Sequence, residues 1–566
     1  MSLAWFDLAM VTEGICQEVK RIDTQELKGR VFDIIVVGGG ITGAAVAHEA
    51  ALRGRSVALF EMNDFGSATS AATSKLIHGG LRYLKNGEFG LVRESLRERR
   101  ILGDIAPNLV EPLRFLIPRY SRRFRKNVPL RLGMWLYDQL SFDKSRVAEP
   151  KNRLPRRALF SAAQTLESAP ALDSFGLQYA VSYFDYANVN PDRMTMAFLK
   201  TACEHGALVA NYAKVHSLVR DGNRIVGVQV TDRLTQATYA CYGKWIVNCA
   251  GPWSDKILNT NQAATARQPV RSEGVHLITS KFRFQDAVAM ETDHGDHLMF
   301  LPWRGLTIVG PTDKPYTGDP DNYAPTAASV QELIDKVNAL LPAEPVGGAF
   351  SRSDILFHYG GLRPLVGLDT QQDSYSASRR YEITDYSRQG MPGLICVEGG
   401  KYTTSRGLAA QVLDLLMRQS GWPSASQDSS RYVLSPCRVG PYQQFIDDLM
   451  TGYESGFQPE TISYYARNYG VEAKMILDKA REHPEGREML TQDGEIMAEV
   501  DYVLEHELVY TLDDLLFRRT GIGWMGKPSD EVFRKIAKKL GQRLNWSLAD
   551  QQRSIVDCLE KRYTLP

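Results

Sequence analysis

No stretch of this sequence approaches the ~20 consecutive apolar residues that a membrane-spanning helix needs. Paired cysteines are missing too. The seven present, Cys16, Cys203, Cys241, Cys249, Cys396, Cys437 and Cys558, are scattered, odd in number and form no Cys-x-x-Cys motif. That argues against a disulfide framework and a zinc ribbon and for a reducing compartment, and no metal site is expected. An excess of one charge is absent: 67 basic against 66 acidic residues leave +1, so no global field draws the chain to nucleic acid, and none is expected as a partner. The first part of the chain is not acid-poor, since Asp7, Glu13, Glu18, Asp23 and Glu26 run through it. We therefore expect no signal or transit peptide and treat residues 1–30 as an N-terminal extension. Internal repeats and long low-complexity tracts are also lacking. What remains is an ordinary globular composition, 43% hydrophobic and 23% charged over 566 residues, enough for a large core and more than one domain.

The chain is organised around Phe32 to Leu84. Phe32 to Val37 is a short apolar β-branched run, the pattern of a strand buried on both faces. Gly38, Gly40 and Gly43 follow in Gly-x-Gly-x-x-Gly spacing. The first permits a tight turn, the second lets backbone approach a pyrophosphate, and the third lets helix and strand pack closely. A helix from Ile41 should stop at Arg53-Gly54, and a strand from Ser56 to Phe60 closes on Glu61, whose carboxylate is placed to accept hydrogen bonds from a ribose. Gly-x-Gly-x-x-Gly alone also occurs in fortuitous glycine-rich turns. Strand, helix, second strand and terminal acid in register favour a dinucleotide site. Nothing in this half separates FAD from NAD.

Gly66 to Lys75 is dense in small hydroxyl residues, among them Thr69, Ser70 and Ser74, which suits a loop lying against a cofactor; a polar surface loop is the alternative. His78-Gly79-Gly80-Leu81-Arg82-Tyr83 brings a guanidinium fork, suited to phosphate or carboxylate, onto a glycine-rich apolar background. After a helix expected over Glu88 to Ala106, Phe115 to Tyr137 interleaves Arg119, Arg122, Arg123, Arg125, Lys126 and Arg131 with Phe124, Leu130, Leu132, Met134, Trp135 and Leu136. That composition suits an interfacial membrane anchor and, equally, a solvated basic face beside a core helix. Asn190-Pro191 opens a helix, Val215 to Thr231 reads as a hairpin about Asp221-Gly222-Asn223, and a buried strand from Trp245 breaks at Ala250-Gly251-Pro252. Ala327 to Leu341 reads as a regular helix. A Ser/Gln-rich stretch follows Gly421, and beyond Tyr442 the pattern is helical, with breaks near Gly470, Pro484 and Asp513 to Gly523.

The run Thr69 to Leu84, TSAATSKLIHGGLRYL, strongly resembles the FAD-dependent glycerol-3-phosphate dehydrogenases, within the D-amino-acid-oxidase-like flavoproteins. Later motifs agree in order: Ala250-Gly251, Ser272 to Thr279 with His276, Pro311-Thr312-Asp313, Tyr359 to Leu365 with Arg363, Glu398 to Arg406, and Asp513 to Gly523. The resemblance implies an α/β flavoprotein of the two-dinucleotide-binding-domain class. It combines a Rossmann-type FAD domain, a mixed β-sheet substrate domain and a small C-terminal helical domain. On that basis the FAD domain takes segments of about 31–110, 180–255 and 390–420, interleaved within 31–420 with substrate and membrane segments of about 111–179 and 256–389. A linker covers about 421–440 and the helical domain 441–566.

The chemistry so implied is oxidation of sn-glycerol 3-phosphate to dihydroxyacetone phosphate, with hydride passing to FAD and electrons onward to a membrane quinone. The protein would sit on the cytoplasmic face of the membrane through residues 115–137, and the resemblance leaves a homodimer open. His276, Arg363 and Lys401 are the implied catalytic set. His276 is the base, with His78 as its rival. Arg82 and Arg363 bind phosphate, Lys401 serves phosphate or the flavin pyrimidine edge, and Tyr83 and Thr403 are second contacts. Gly38, Gly40, Gly43, Glu61, Thr69, Ser70, Ser74, His78, Gly79, Ala250, Gly251, Gly400, Lys401 and Thr404 would hold FAD. Asp185, Asp192 and Arg193 are expected to cap and scaffold, and Arg518 and Arg519 to form ion pairs between elements. The rival readings are an oxygen-using glycerol-3-phosphate oxidase, an amine or amino-acid oxidase, and a membrane-binding flavoprotein without turnover. The long insertion of the oxidases is missing between His276 and Arg363, and three cationic positions suit a phosphate dianion better than one carboxylate.

Overall fold

The computed structural model describes residues 19–23, 27, 29–84, 87–120, 124–259, 270–292, 295–344, 347–366, 380–423 and 427–566. Most of the N-terminal extension lies outside the described residues, as do the side chains of residues 121–129, among them Arg122, Arg123, Arg125 and Lys126. Among the described residues the strands form two sheets, one of eight strands and one of ten.

The first sheet runs in the order Tyr381–Asp385, Leu394–Gly399, Thr238–Asn248, Val31–Val37, Val57–Phe60, Leu208–Ala210. Its inner strands are parallel, and the hairpin Ala213–Asp221/Arg224–Asp232 joins through Thr238–Asn248. Parallel strands need cover on both faces. Ile34 and Val36 pack in one core with the helices Ile41–Leu52, Pro191–Glu204 and Ser405–Ser420, while Ile35 and Val37 pack with Val215, Val228 and Val230 on the opposite side. This double burial is why Phe32 to Val37 reads as a continuous apolar run. The local signals also hold. Gly54 follows the first helix at φ +72°. The Asn190 side chain accepts from Asp192 N and Arg193 N at 3.0 and 3.2 Å, a cap worth about 1 kcal/mol.

The second sheet is mixed. Val110–Arg119 pairs antiparallel with Tyr179–Asn188 along its length and parallel with Ala287–Glu291. Val270–Thr279 pairs antiparallel with Phe357–Leu365, which sets His276 opposite Tyr359 and Ser272 opposite Arg363. Two strands from segments given above to the FAD domain, Leu76–Ile77 and Tyr179–Asn188, pair in this second sheet. Tyr381–Asp385, from a segment given to the substrate domain, pairs in the first. Apolar alternation says that a strand is half-buried, not which strand lies beside it.

Beyond the linker, the helices Tyr442–Tyr453, Pro459–Tyr469, Ala473–Glu482, Met497–His506, Asp530–Leu544 and Leu548–Tyr563 share a core with Phe357 and Tyr359 of the second sheet. The segment expected as a break holds a π-helical turn, Asp514–Arg519, that turns Arg518 and Arg519 inward. Arg519 pairs with Asp64 at 2.6 Å and Arg518 with Asp192 at 2.5 Å, joining this helical region to the loop after Glu61 and to the helix capped by Asn190. No described helix is long and apolar enough to cross a membrane.

Candidate active site

At the carboxyl ends of the parallel strands lies a cleft of about 1170 Å³, counted to its open mouth. Gly38, Gly40, Glu61, Thr69, Ser70, Ala250, Gly251, Gly400 and Lys401 all line it. Gly38 sits at φ +101°, and a Cβ there would lie 2.6 Å from the Cys249 carbonyl oxygen. A Cβ on Gly43 would lie 1.9 Å from the Gly38 carbonyl oxygen, so Gly43 serves helix–strand packing and does not itself line the cleft. Glu61 accepts from Gly39 N at 2.7 Å and Asn63 N at 2.8 Å. Burial raises its pKa, and those backbone donors pull the other way. The first turn of the helix Ile41–Leu52 holds no acidic residue, leaving its positive end to an anion. Ser70 Oγ accepts from Ile41 N at 2.9 Å, which ties the hydroxyl-rich loop to that helix start.

The other expected residues lie beyond the cleft lining, in a second cluster. Thr69 Oγ1 donates to the Leu362 carbonyl at 2.6 Å, one residue before Arg363. Arg82 Nη1 and Arg363 Nη1 approach opposite oxygens of Asp313 at 3.8 and 3.6 Å, and Ser272 Oγ donates to the same carboxylate. The two cations, far apart in sequence, are thus brought to one carboxylate. Arg82 is also 3.3 Å from the Tyr83 hydroxyl, and Arg363 donates to the Thr312 carbonyl at 3.3 Å.

His276 is 1% exposed. Its ring lies parallel to Tyr359 at 4.8 Å, and its Nε2 is 2.8 Å from Ser74 Oγ, while Nδ1 has no hydrogen-bond partner among the described residues. Burial, then Arg363 and Lys75, hold its pKa well below the ordinary imidazole value, so the ring is neutral at physiological pH. His78 is pushed down to about 3 by burial, then by Lys401, Arg82 and Arg99; its backbone N–H donates to Thr403 Oγ1 at 3.2 Å. Lys401 Nζ is 2.9 Å from Ser95 Oγ and 4.0 Å from the Tyr83 ring centre. Burial lowers its pKa to about 8. Thr404 Oγ1 donates to the Lys401 carbonyl at 3.3 Å. The Gly79 N–H meets the Tyr137 hydroxyl at 3.0 Å, inside a buried group with Asp185 and Arg99.

Sequence reasoning did not single out Thr42, Asn63, Val215, Trp253 or Tyr402 as cleft residues, all of which line it. Asp313 was legible only as a turn residue. A spacing signal exists for Thr42 and Asn63, which lie beside Gly43 and Glu61. None marks Val215, which arrives from the hairpin on the far face.

Residues 33–414 match the family described as FAD dependent oxidoreductase. The chain belongs to that family. Residues 438–551 of this FAD dependent oxidoreductase match a second description, the C-terminal domain of alpha-glycerophosphate oxidase. The chain is 31% identical to the aerobic glycerol-3-phosphate dehydrogenase of Staphylococcus saprophyticus over 88% of each chain. It is 32% identical to glycerol-3-phosphate dehydrogenase 2 of Mycobacterium bovis over 96% of this chain and 89% of that one. Among solved structures it resembles the FAD complex of the Bacillus halodurans glycerol-3-phosphate dehydrogenase, with TM-score 0.73, 26% identity and 95% of both chains covered. The fold class is therefore that of an FAD-binding α/β oxidoreductase with a C-terminal helical region, and FAD is its cofactor. The cleft fits it: a close glycine approach at Gly38, a helix start without acids, and a carboxylate at the end of the second strand.

Proposed function

We propose that this oxidoreductase converts sn-glycerol 3-phosphate to dihydroxyacetone phosphate and passes the electrons to a membrane quinone. The observation that carries the reading is the convergence of Arg82 and Arg363 on one carboxylate, Asp313, with His276 on the strand that pairs with that of Arg363. Two guanidinium forks at one anion position suit a phosphate dianion, whereas an amino-acid carboxylate needs one. The names of the relatives agree. When bound, FAD supplies the hydride acceptor that oxidation of a secondary alcohol requires. Arg82 and Arg363 bind the phosphate, with Lys401, Tyr83 and Thr403 beside them. His276 takes the hydroxyl proton at Nε2, the ring nitrogen facing Ser74. The neutral imidazole is the form that can accept a proton, and Arg363 favours the alkoxide left behind.

Membrane contact is assigned to residues 115–137. On the helix Phe124–Leu140, Leu132 and Trp135 are 60% and 47% exposed while Met134 and Tyr137 are buried. An outward Leu and Trp beside Arg131 suit an interface of acyl chains and anionic headgroups.

The test is anaerobic mixing of the yellow holoenzyme with glycerol 3-phosphate, glycerol and amino acids. Bleaching by glycerol 3-phosphate alone is expected, and its absence sinks the reading. The match to an alpha-glycerophosphate oxidase C-terminal domain keeps oxygen as the second acceptor to test. Reoxidation by a quinone analogue but slowly by air is the expected result.

A further inference from the structure

The C-terminal helices contribute nothing to the chemistry above, yet one of their rings reaches the His276 strand pair. Lys75, next after Ser74, is 3% exposed. Its ammonium lies 4.0 Å from the ring centre of Trp524, 4.9 Å from Trp303 and 5.6 Å from Tyr359. Trp524 comes from the helical region, Trp303 and Tyr359 from the second sheet. The same Tyr359 ring stacks on His276 and meets Trp524 edge-on at 4.9 Å. Its hydroxyl donates to the Thr73 carbonyl at 2.9 Å. The turn Thr73–Ser74–Lys75 is thus held by the ring stack at one end and by a caged ammonium at the other. Between them, the Ser74 hydroxyl meets His276 Nε2.

The cage has work to perform. Lys75 is left-handed, at φ +52°, a conformation that is unfavourable for a residue with a side chain. Its N–H donates to Thr73 Oγ1 at 3.1 Å, and its carbonyl accepts from Asn188 N at 2.8 Å. The charges that face it are Asp192, Arg518 and Arg304. Asp192, whose Oδ1 is paired with Arg518, favours the charged ammonium, and the three rings enclose it. Cation–π contacts strengthen in desolvated sites and act against the strain of the turn.

We infer that Lys75, caged by Trp524, Trp303 and Tyr359, is a positioning residue that holds the Ser74 hydroxyl on His276, and that Trp524 thereby makes the C-terminal helical region a wall of the active site. The inference rests on His276 as proton acceptor in the function proposed above. Lys75 touches neither substrate nor cofactor in this assignment; it acts through Ser74.

The test uses the FAD-loaded full chain and the rate of anaerobic bleaching by glycerol 3-phosphate. Lys75→Met should slow bleaching at saturating substrate about 10- to 100-fold, the size expected for a misplaced catalytic group. The half-saturating concentration and FAD content should hold, because Arg82, Arg363 and the cleft are untouched. Lys75→Arg should recover part of the rate. Trp524→Leu should repeat the defect, and Trp524→Phe should not. In a His276→Gln background, Lys75→Met should add no further slowing. Bleaching of Lys75→Met at the wild-type rate, or a slowing that multiplies fully with that of His276→Gln, overturns the inference. Should Lys75→Met lose FAD, the Trp524 pair decides, and equal rates for Leu and Phe overturn it. A wild-type rate in His276→Gln removes His276 as acceptor and this inference with it. A slow His276→Gln beside a fast Lys75→Met removes this inference alone.

Discussion

At the scale of the residue, burial sets the protonation of the histidines. His48 lies in the first helix, 0% exposed, with neither ring nitrogen hydrogen-bonded among the described residues. Burial, then His205 and Arg406, push its pKa down to about 3 from 6.5. An unfolded chain takes up this proton as pH falls below 6.5, and the folded chain does not. The contribution of His48 to stability is therefore complete above that value and is lost on acidification toward 3. Urea unfolding of His48→Leu and wild type between pH 6 and 4 should show wild type losing about 1.4 kcal/mol more per pH unit. Arg363 carries a different expectation. Removing a charged hydrogen-bonding group from an anion site costs about 1.5–3 kcal/mol, so Arg363→Ala should raise KM for glycerol 3-phosphate about 10- to 100-fold with FAD retained. Loss of FAD instead would place Arg363 in the cofactor site.

At the scale of the element, the strand pair Val270–Thr279/Phe357–Leu365 matters through its register. Because His276 faces Tyr359 and Ser272 faces Arg363, one antiparallel ladder presents the imidazole, the guanidinium and the hydroxyl that binds Asp313. A slip of one residue would turn all of them to the other face. The helix Phe124–Leu140 is the second element with an expected function. Leu132→Ser with Trp135→Ser should weaken cosedimentation with anionic vesicles while leaving turnover with a soluble acceptor intact. Replacing Arg122, Arg123, Arg125 and Lys126 with glutamine should do the same and make the residual binding insensitive to salt. Unchanged pelleting in both variants would move the membrane surface elsewhere.

At the scale of the molecule, the C-terminal helices are joined to the FAD-binding sheet by buried charge. Arg519, 0% exposed, reaches Asp64 just beyond Glu61, and Arg193 and Lys200 of one helix meet Glu472 and Glu507 of the helical region. Breaking one partner of a buried pair leaves an uncompensated charge and costs about 3–5 kcal/mol. Arg519→Met should therefore lower unfolding stability by that order, and adding Asp64→Asn should restore much of it. If the double variant is no better than the single one, the arginine contributes by packing and not by pairing.

The strand–turn–helix–strand unit with Glu61, the capped helix at Asn190, the hairpin at Gly222 and the glycine stop at Gly54 were all legible in the sequence. Each rests on neighbours within a few residues: a period of hydrophobicity, a cap, a turn dihedral. The same local logic marked Gly38, Gly40, Glu61 and the hydroxyl loop of Thr69 and Ser70, the family resemblance added Gly251 and Gly400, and all of them line one cleft. Three things only the tertiary structure decided. Asp313 became the common anion of Arg82 and Arg363, because antiparallel pairing carried Arg363 back to its turn. Leu76–Ile77 and Tyr179–Asn188 joined the second sheet, because alternation specifies a buried face and leaves the partner strand open. Trp524 reached Lys75 and Tyr359, because hydrophobic burial has no direction and brings together whatever surfaces the helices expose to the sheet. A dinucleotide site was written in local spacing; the arrangement of charges and rings around the imidazole was written in packing.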